Sequence, residues 1–208
     1  MALIKLNNKA VSNATAFGSI SSLGSMTFIK KLTASSSATL SFVDGSDGVV
    51  LDDTYKEYVF TFNNIHPASD GGFFQFNLST DGGSNYNVTK TTTFFNADHR
   101  EDGGDNNFDY QTSRDLAQST SFQNISRQLG NDNDHSCSGS FTLFNPASTT
   151  FVKHFMSTTN EVRNLTNDYT QNSFMAGYGN TQSAINAIRF QISSGNIDAG
   201  DICLYGIA

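Results

Sequence analysis

The sequence predicts an all-β fold, an antiparallel β-sandwich of jelly-roll type with long polar loops. Apolar side chains alternate with polar ones in short runs, as at Tyr58, Phe60 and Phe62, which is the pattern of a strand with one buried face. Turn-forming residues such as those at 81–85 separate these runs, and a proline follows two of them. No segment keeps an apolar period of 3.6 residues, so short strands joined by turns indicate a sandwich.

The alternation gives each strand a predicted position and the sandwich a predicted core. Strands are expected at 26–32, 38–43, 55–65, 73–79, 86–95, 119–125, 139–144, 150–156, 172–178, 185–193 and 201–207. The inward rows predict a core built on Phe60, Phe62, Phe74, Phe76, Phe141, Phe190 and Leu204. Polar segments at 96–115, 128–137 and 157–171 interrupt the pattern and are predicted to be long loops.

The chain divides into two unequal parts. Residues 1–24 carry the apolar side chains Leu3, Ile4 and Leu6, followed by a stretch rich in Ser, Ala, Asn and Gly. Such a segment is ordered only when something holds it down, so it is predicted to be an N-terminal docking arm. Residues 25–208 are predicted to form the β-sandwich domain. No run approaches the roughly 20 apolar residues of a membrane span, which predicts no membrane insertion.

Charge limits the choice of partner. The net charge is −7 and only 15% of residues are charged, whereas about 25% is usual. The acidic balance argues against nucleic acid, which binds basic surfaces. Hydroxyl and amide groups are easier to dehydrate than charges, so extensive protein contacts are expected. We therefore predict a homo-oligomer, with a trimer favoured. Cys137, predicted in a loop, and Cys203, in the last strand, are expected to be free thiols.

The residues of catalysis are not found in a recognisable pattern. No Gly-X-Ser-X-Gly elbow is present, and Cys137 lies too close to His135 in sequence for a working pair. Glycoside hydrolysis requires two carboxyl groups across a sugar bond, but glutamate is limited to Glu57, Glu101 and Glu161. Aspartates lie mainly among Gly and Asn, where turn formation explains them. The protein is predicted not to be an enzyme, with a polysaccharide-degrading activity kept as a third alternative.

Two acidic segments, 98–105 and 131–135, offer the oxygen ligands that Ca²⁺ prefers, but neither has the complete EF-hand pattern. Whether they bind Ca²⁺ stays open, and no metal site or cofactor is predicted. Polar and tyrosine side chains on loops at one end of a sandwich can bind a sugar or a protein. The candidate receptor-facing residues are Asp98, His99, Glu101, Asp102, Tyr110, Asp132, Asp134 and Tyr169.

Several segments resemble a known group of proteins. They include MALIKLNN, ATAFGSISSLGSM, YKEYVFTFNNIHP, LFNPASTTFVKHF and SAINAIRFQISSGNIDAGDICLYGI. Together with other segments across most of the chain, these are similar to small structural proteins of tailed phages of marine bacteria, particularly cyanophages. The loops at 96–111, 128–137 and 157–172 match least. None of the segments is a catalytic motif, so the resemblance implies a context and no active-site residues.

The resemblance implies a virion protein that is made in the host cytoplasm and contacts other virion proteins. The expected function is that of a surface-displayed, tail-fibre-like or receptor-binding component, which docks through its N-terminus and presents loops to a host surface glycan or protein. The alternative is a capsid decoration or cement protein that stabilises the head.

Overall fold

The computed structural model describes residues 26–163 and 167–207. The predicted docking arm, with Leu3, Ile4 and Leu6, lies outside the described residues. Within them the chain forms twelve strands and no helix, which confirms the all-β prediction. The strands are β1 (Met26–Thr33), β2 (Leu40–Val43), β3 (Glu57–Pro67), β4 (Gly72–Ser79), β5 (Lys90–Arg100), β6 (Asn106–Tyr110), β7 (Gln123–Leu129), β8 (Cys137–Phe144), β9 (Lys153–Arg163), β10 (Tyr169–Gly179), β11 (Ala187–Ile192) and β12 (Ile197–Ile207).

The strands form an antiparallel sheet that nearly closes into a barrel-like sandwich. Eight strands pair in the order β1-β12-β3-β8-β9-β10-β5-β6, and four pair in the order β2-β11-β4-β7. We call these the large and the small layer. One residue pair, Leu129 with Arg163, joins β7 to β9 and thus links the layers. This narrow link leaves side-chain packing to hold the two layers face to face.

Aromatic side chains fill the space between the layers. Phe190 of β11 lies at the centre, with ring centroids 5.5 Å from Phe60, 5.3 Å from Phe62 and 5.7 Å from Phe74. Such ring pairs contribute about 0.5–1.5 kcal/mol beyond the burial of their area. All seven predicted core residues are buried, at 1% exposure or less, so the core prediction is confirmed. We refer to this cluster as the aromatic core (Phe42, Phe60, Phe62, Phe74, Phe76, Phe141, Phe155 and Phe190).

Two of the three predicted long loops are wrong. The segment 96–115 contains the end of β5 and all of β6, and the segment 157–171 contains the end of β9 and the start of β10. Polar residues at inward positions, such as Asn96 and Glu161, conceal the alternation, because a strand with two polar faces resembles a loop in sequence. The segment 128–137 does connect β7 to β8, but Cys137 opens β8 and is fully buried. Both cysteines are free thiols, as predicted.

The register of the strands gives the sandwich two distinct ends. At the loop end, β3, β5 and β9 finish and β6, β8, β10 and β12 begin. At the opposite end, which we call the arm end, Met26 pairs with Ile207 and Ile207 pairs with Glu57. β3 runs between the two ends, and at about 3.3 Å per residue it separates them by roughly 33 Å. The described residues therefore begin at the arm end of the sandwich.

Candidate ligand-binding site

Parts of all three predicted polar loops meet at the loop end. The backbone N–H of Glu101 donates to the carbonyl oxygen of Asp168 at 3.0 Å. His135 Nε2 lies 3.2 Å from Asp168 Oδ2, and Tyr169 Oη donates to Asp105 Oδ2 at 3.4 Å. These contacts join the β5–β6 turn, the β7–β8 segment and the start of β10. Residues that are far apart in sequence therefore form one continuous polar surface at this end.

A polar hollow of about 430 Å³ opens in this surface. Its walls come from the end of β3, the β7–β8 segment and the start of β12. His66 Nδ1 lies 3.6 Å from Asp198 Oδ2, while its Nε2 lies 3.2 Å from the carbonyl oxygen of Asp132. His135 contributes a second imidazole, whose Nδ1 has no hydrogen-bond partner among the described residues. Carboxylates and imidazoles at this spacing can bind the hydroxyl groups of a sugar or the polar groups of a peptide.

Four of the predicted receptor-facing residues lie in exposed turns or loops, as expected. Asp134 is almost fully exposed, with 89% of its side-chain surface accessible, and Asp132 precedes it in the same β7–β8 segment. Glu101 and Asp102 occupy the exposed β5–β6 turn. Hydrogen bonds from Arg100 and from the Gly104 backbone hold the pKa of Asp102 below its usual value. The structure thus places these residues at the loop end and leaves their role as a proposal.

The other four lie on strands, and their predicted loop positions are corrected. Asp98 and Tyr169 are buried at 8% exposure in β5 and β10. Asp98 accepts hydrogen bonds from Asn96 Nδ2 at 3.0 Å and from Asn107 Nδ2 at 3.3 Å. His99 is exposed on β5, and Tyr110 ends β6. Alternation along β5 and β10 turns Asp98 and Tyr169 inward, whatever their polarity.

These inward polar residues belong to a larger group, which we call the polar inner patch (Asn96, Asp98, Thr159, Glu161, Gln171 and Ser173). Glu161 is its centre and is 1% exposed. Its Oε1 accepts hydrogen bonds from the Arg127 N–H at 2.9 Å, from Ser173 Oγ at 2.7 Å and from Gln171 Nε2 at 3.1 Å. Burial raises the pKa of Glu161 to about 7, although the hydrogen bonds from the Arg127 N–H and from Ser173 oppose the rise.

Sequence reasoning missed the polar inner patch, although a signal was present. From Phe155 onward, every second residue of β9 is buried, and the row continues through Ser157 and Thr159 to Glu161. The intervening positions, such as Met156, are exposed. The period of two predicts that this polar row faces inward, whereas the hydrophobicity of its residues predicts that it is exposed. The period was the correct signal.

The opposite surface of the large layer carries a group of apolar side chains. The rings of Phe95 and Phe174 stack at 4.9 Å and Phe108 meets Phe95 edge-on at 5.6 Å. Phe108 is 71% exposed and Met156 is 57% exposed. Cross-strand pairing places all of these side chains on one side of the sheet. We call it the outer face (Phe95, Ala97, Phe108, Tyr110, Met156, Phe174, Ala176 and Tyr178). An open hollow of about 480 Å³ adjoins it.

Among residues 26–163 and 167–207, no three His, Cys, Asp or Glu side chains lie together in a way that could hold a metal ion. In the same residues, no helix has the length and apolar character needed to cross a bilayer.

The chain matches no protein-family model, no curated protein and no solved structure. Any function must therefore be argued from its residues, its fold and its surfaces.

Proposed function

We propose that the protein is a structural component of a phage particle, displayed on the surface as a tail-fibre-like or receptor-binding module. In this proposal the N-terminal arm docks on other virion proteins and the loop end faces the host. One observation carries it: the described residues begin at Met26, at the end of the sandwich opposite the polar hollow. A protein that is anchored through residues 1–24 can therefore direct its polar loop end away from the particle.

The order of the strands supports this proposal through the jelly-roll interpretation. In that interpretation, β1-β12-β3-β8 and β2-β11-β4-β7 are the two four-stranded sheets, and β9-β10-β5-β6 extends the first of them. Jelly rolls are common in viral capsid proteins and in lectins. The fold alone does not specify a function, so the argument depends on the two ends of the molecule.

Cryo-EM of the particle that carries this chain tests the proposal most directly. We expect density for the sandwich on the outside of the particle, with the arm end inward and the loop end outward. A sandwich located inside the capsid, or one with the loop end against the particle, would contradict it.

Deleting residues 1–12 tests the docking role of the arm. The shortened protein should retain the β-sandwich, with an unchanged circular dichroism spectrum, and should lose its place in the particle. Incorporation at normal occupancy would show that the arm is not the anchor. A chain that fails to fold would instead indicate that the arm is part of the sandwich.

Removing exposed charge at the loop end tests host recognition. The double variant Glu101→Ala and Asp134→Ala should bind host cells less well, because both side chains are exposed at the loop end. Glu57→Ala is the matched control, since Glu57 is exposed at the arm end. Equal binding by the double variant and the control would argue against recognition through the loop end.

A second candidate function, capsid decoration, is favoured by the outer face. Exposed aromatic side chains such as Phe108 and Tyr110 suit contact with a further copy of the chain, as a homo-oligomer, for which a trimer is proposed, would require. Phe108→Asp should then reduce the mass measured by light scattering to that of a single chain. A single-chain mass for the unchanged protein, in solution and on the particle, would rule out the oligomer.

A further inference from the structure

Three of the five arginines in the chain come together beside the polar inner patch. Arg114 follows β6, Arg127 lies on β7 and Arg163 ends β9. We call them the arginine cluster. Burial lowers the pKa of the Arg114 and Arg127 guanidinium groups, and repulsion from Arg163 lowers it further. Three guanidinium groups thus repel one another in a chain whose net charge is −7.

The nearby carboxyl groups compensate this charge only in part. Asp98 Oδ2 lies 3.9 Å from Arg163 Nη1, at the outer limit of an ion pair. Glu161 accepts its hydrogen bonds from a backbone N–H and from Ser, Thr and Gln side chains, and it is half protonated near pH 7. Arg127 thus lies near two other guanidinium groups and two carboxyl groups, of which Glu161 is partly neutral.

The arginine cluster also carries unused hydrogen-bond donors. The Nε atoms of Arg114, Arg127 and Arg163 are all buried and have no acceptor within the part of the chain that the structure describes. In the polar inner patch, Asn96 Oδ1 and Gln171 Oε1 are likewise buried without a partner, and both residues are fully buried. Leaving a buried polar group unpaired destabilises the folded state, because the group loses its hydrogen bonds to water and gains none in return. Five such atoms in one region indicate that a partner completes it.

Aromatic rings fix the orientation of two of the guanidinium groups. The Arg114 guanidinium lies over the ring of Phe73 at 4.1 Å, and that of Arg163 lies 5.9 Å from the centroid of Tyr169. A guanidinium group is planar and presents its N–H groups in a rigid fork, and a neighbouring ring restricts its movement. Planar N–H pairs fit the oxygens of a carboxylate, sulfate or phosphate, and bind them more strongly than neutral groups do.

We infer that the arginine cluster is a binding site for one oxyanion group, a carboxylate, sulfate or phosphate. The guanidinium N–H groups donate to its oxygens, while the amide oxygens of Asn96 and Gln171 accept from hydroxyl groups beside it. The source of the oxyanion is an acidic sugar of a host surface glycan, and this identification rests on the proposed function. A free inorganic anion offers the same chemistry, and the two sources are separated by experiment.

The arginine Nε–H signals in a ¹H–¹⁵N spectrum test the site directly. Sulfate, phosphate and glucuronate are each titrated against chloride at matched ionic strength. We expect the signals of Arg114, Arg127 and Arg163 to shift and saturate. The signal of Arg189, which stacks on Tyr86 and donates to Ser41 instead, should not move. The absence of a saturable shift with all three anions, or an equal shift of Arg189, would overturn the site.

Substitution provides a second, independent measurement. Arg163→Lys keeps the positive charge and removes the planar donor pair, so binding of the same anions should weaken about tenfold. Arg189→Lys is the matched control and should bind as the unchanged protein does. Equal affinity in the two variants would contradict the site. If Arg163→Lys does not fold, the titration of the unchanged protein still decides.

Oligosaccharides separate the two sources of the anion. A sulfated or uronic-acid tetrasaccharide that competes with inorganic sulfate for the arginine cluster supports the glycan source. Binding of sulfate without any binding of acidic oligosaccharides overturns that source and leaves a site for free anions. Neither outcome depends on where the protein lies on a particle, which the cryo-EM experiment tests separately.

Discussion

The aromatic core and the polar inner patch lie in the same interior and are built on opposite chemistry. On β9 the buried positions change from Phe155 to the polar Ser157, Thr159 and Glu161, and on β10 they change from Met175 to Ser173 and Gln171. Hydrophobic burial holds the first group together, whereas hydrogen bonds satisfy most of the second. The comparison teaches that strand pairing determines which residues are buried, and that polar side chains are tolerated there when they find partners.

Truncation in the aromatic core should have the largest effect. Phe190→Ala removes a ring that contacts five others and leaves a cavity between the layers. We expect the free energy of unfolding to fall by about 3–5 kcal/mol, measured by urea denaturation. A loss below about 1 kcal/mol would mean that the two layers are not held together by this cluster.

The polar inner patch should instead give the protein a dependence on pH. The folded pKa of Glu161 is about 7, above the usual value of 4.5, so the folded state holds the proton more tightly. The stability contributed by this tighter proton binding is fully present below pH 4.5 and is lost as the pH rises through 7. The total loss in the free energy of unfolding is about 3 kcal/mol. Denaturation at pH 5 and at pH 7 should show the decline, and Glu161→Gln should remove it.

Another buried group affects stability on the alkaline side of this window. Burial lowers the pKa of Lys90 to about 7 from 10.5, so above pH 7 the unfolded chain binds more protons and stability rises with pH. The decline in stability between pH 5 and pH 7 can therefore be assigned to Glu161 by comparing the unchanged protein with Glu161→Gln in that range. A decline of equal size in Glu161→Gln would contradict the assignment.

Loss of one hydrogen bond in the polar inner patch should have a smaller effect than loss of a core ring. Ser173→Ala removes the hydroxyl that donates to Glu161 Oε1 at 2.7 Å and leaves the backbone unchanged. We expect a loss of about 1–2 kcal/mol in the free energy of unfolding at pH 8. A loss of unfolding free energy as large as that caused by Phe190→Ala would show that the polar inner patch and the aromatic core contribute equally to stability.

The smallest effect is expected where the same ring is removed from the surface. Phe151 is 69% exposed, so Phe151→Ala is a matched control for Phe190→Ala. The free energy of unfolding should change by less than about 0.5 kcal/mol. A larger change would show that this ring has contacts beyond those described.

The sequence was sufficient for the aromatic core because alternation and hydrophobicity agree there. Phe60, Phe62, Phe74 and Phe76 are spaced by two, and all are buried. The sequence was insufficient to predict the burial of Asp98 and Tyr169. In β5 and β10 alternation and hydrophobicity disagree, and the polar composition suggested loops. The arginine cluster gives no local signal at all. Arg114, Arg127 and Arg163 are far apart in the chain. The pairing of β7 with β9 brings Arg127 near Arg163, and a hydrogen bond from Gln123 Nε2 to the carbonyl oxygen of Arg114 holds Arg114 beside β7.

The position of β12 between β1 and β3 affects how the domain is made. β12 is synthesised after every other strand, yet it is the partner that covers β1 and the free edge of β3. During translation, the edges of β1 and β3 therefore stay unpaired until β12 has been synthesised. Contacts between distant parts of a chain form slowly, and exposed strand edges favour aggregation. A ribosome that stops before β12 should therefore yield chains that cannot complete the large layer, so that only chains that include β12 reach the native state.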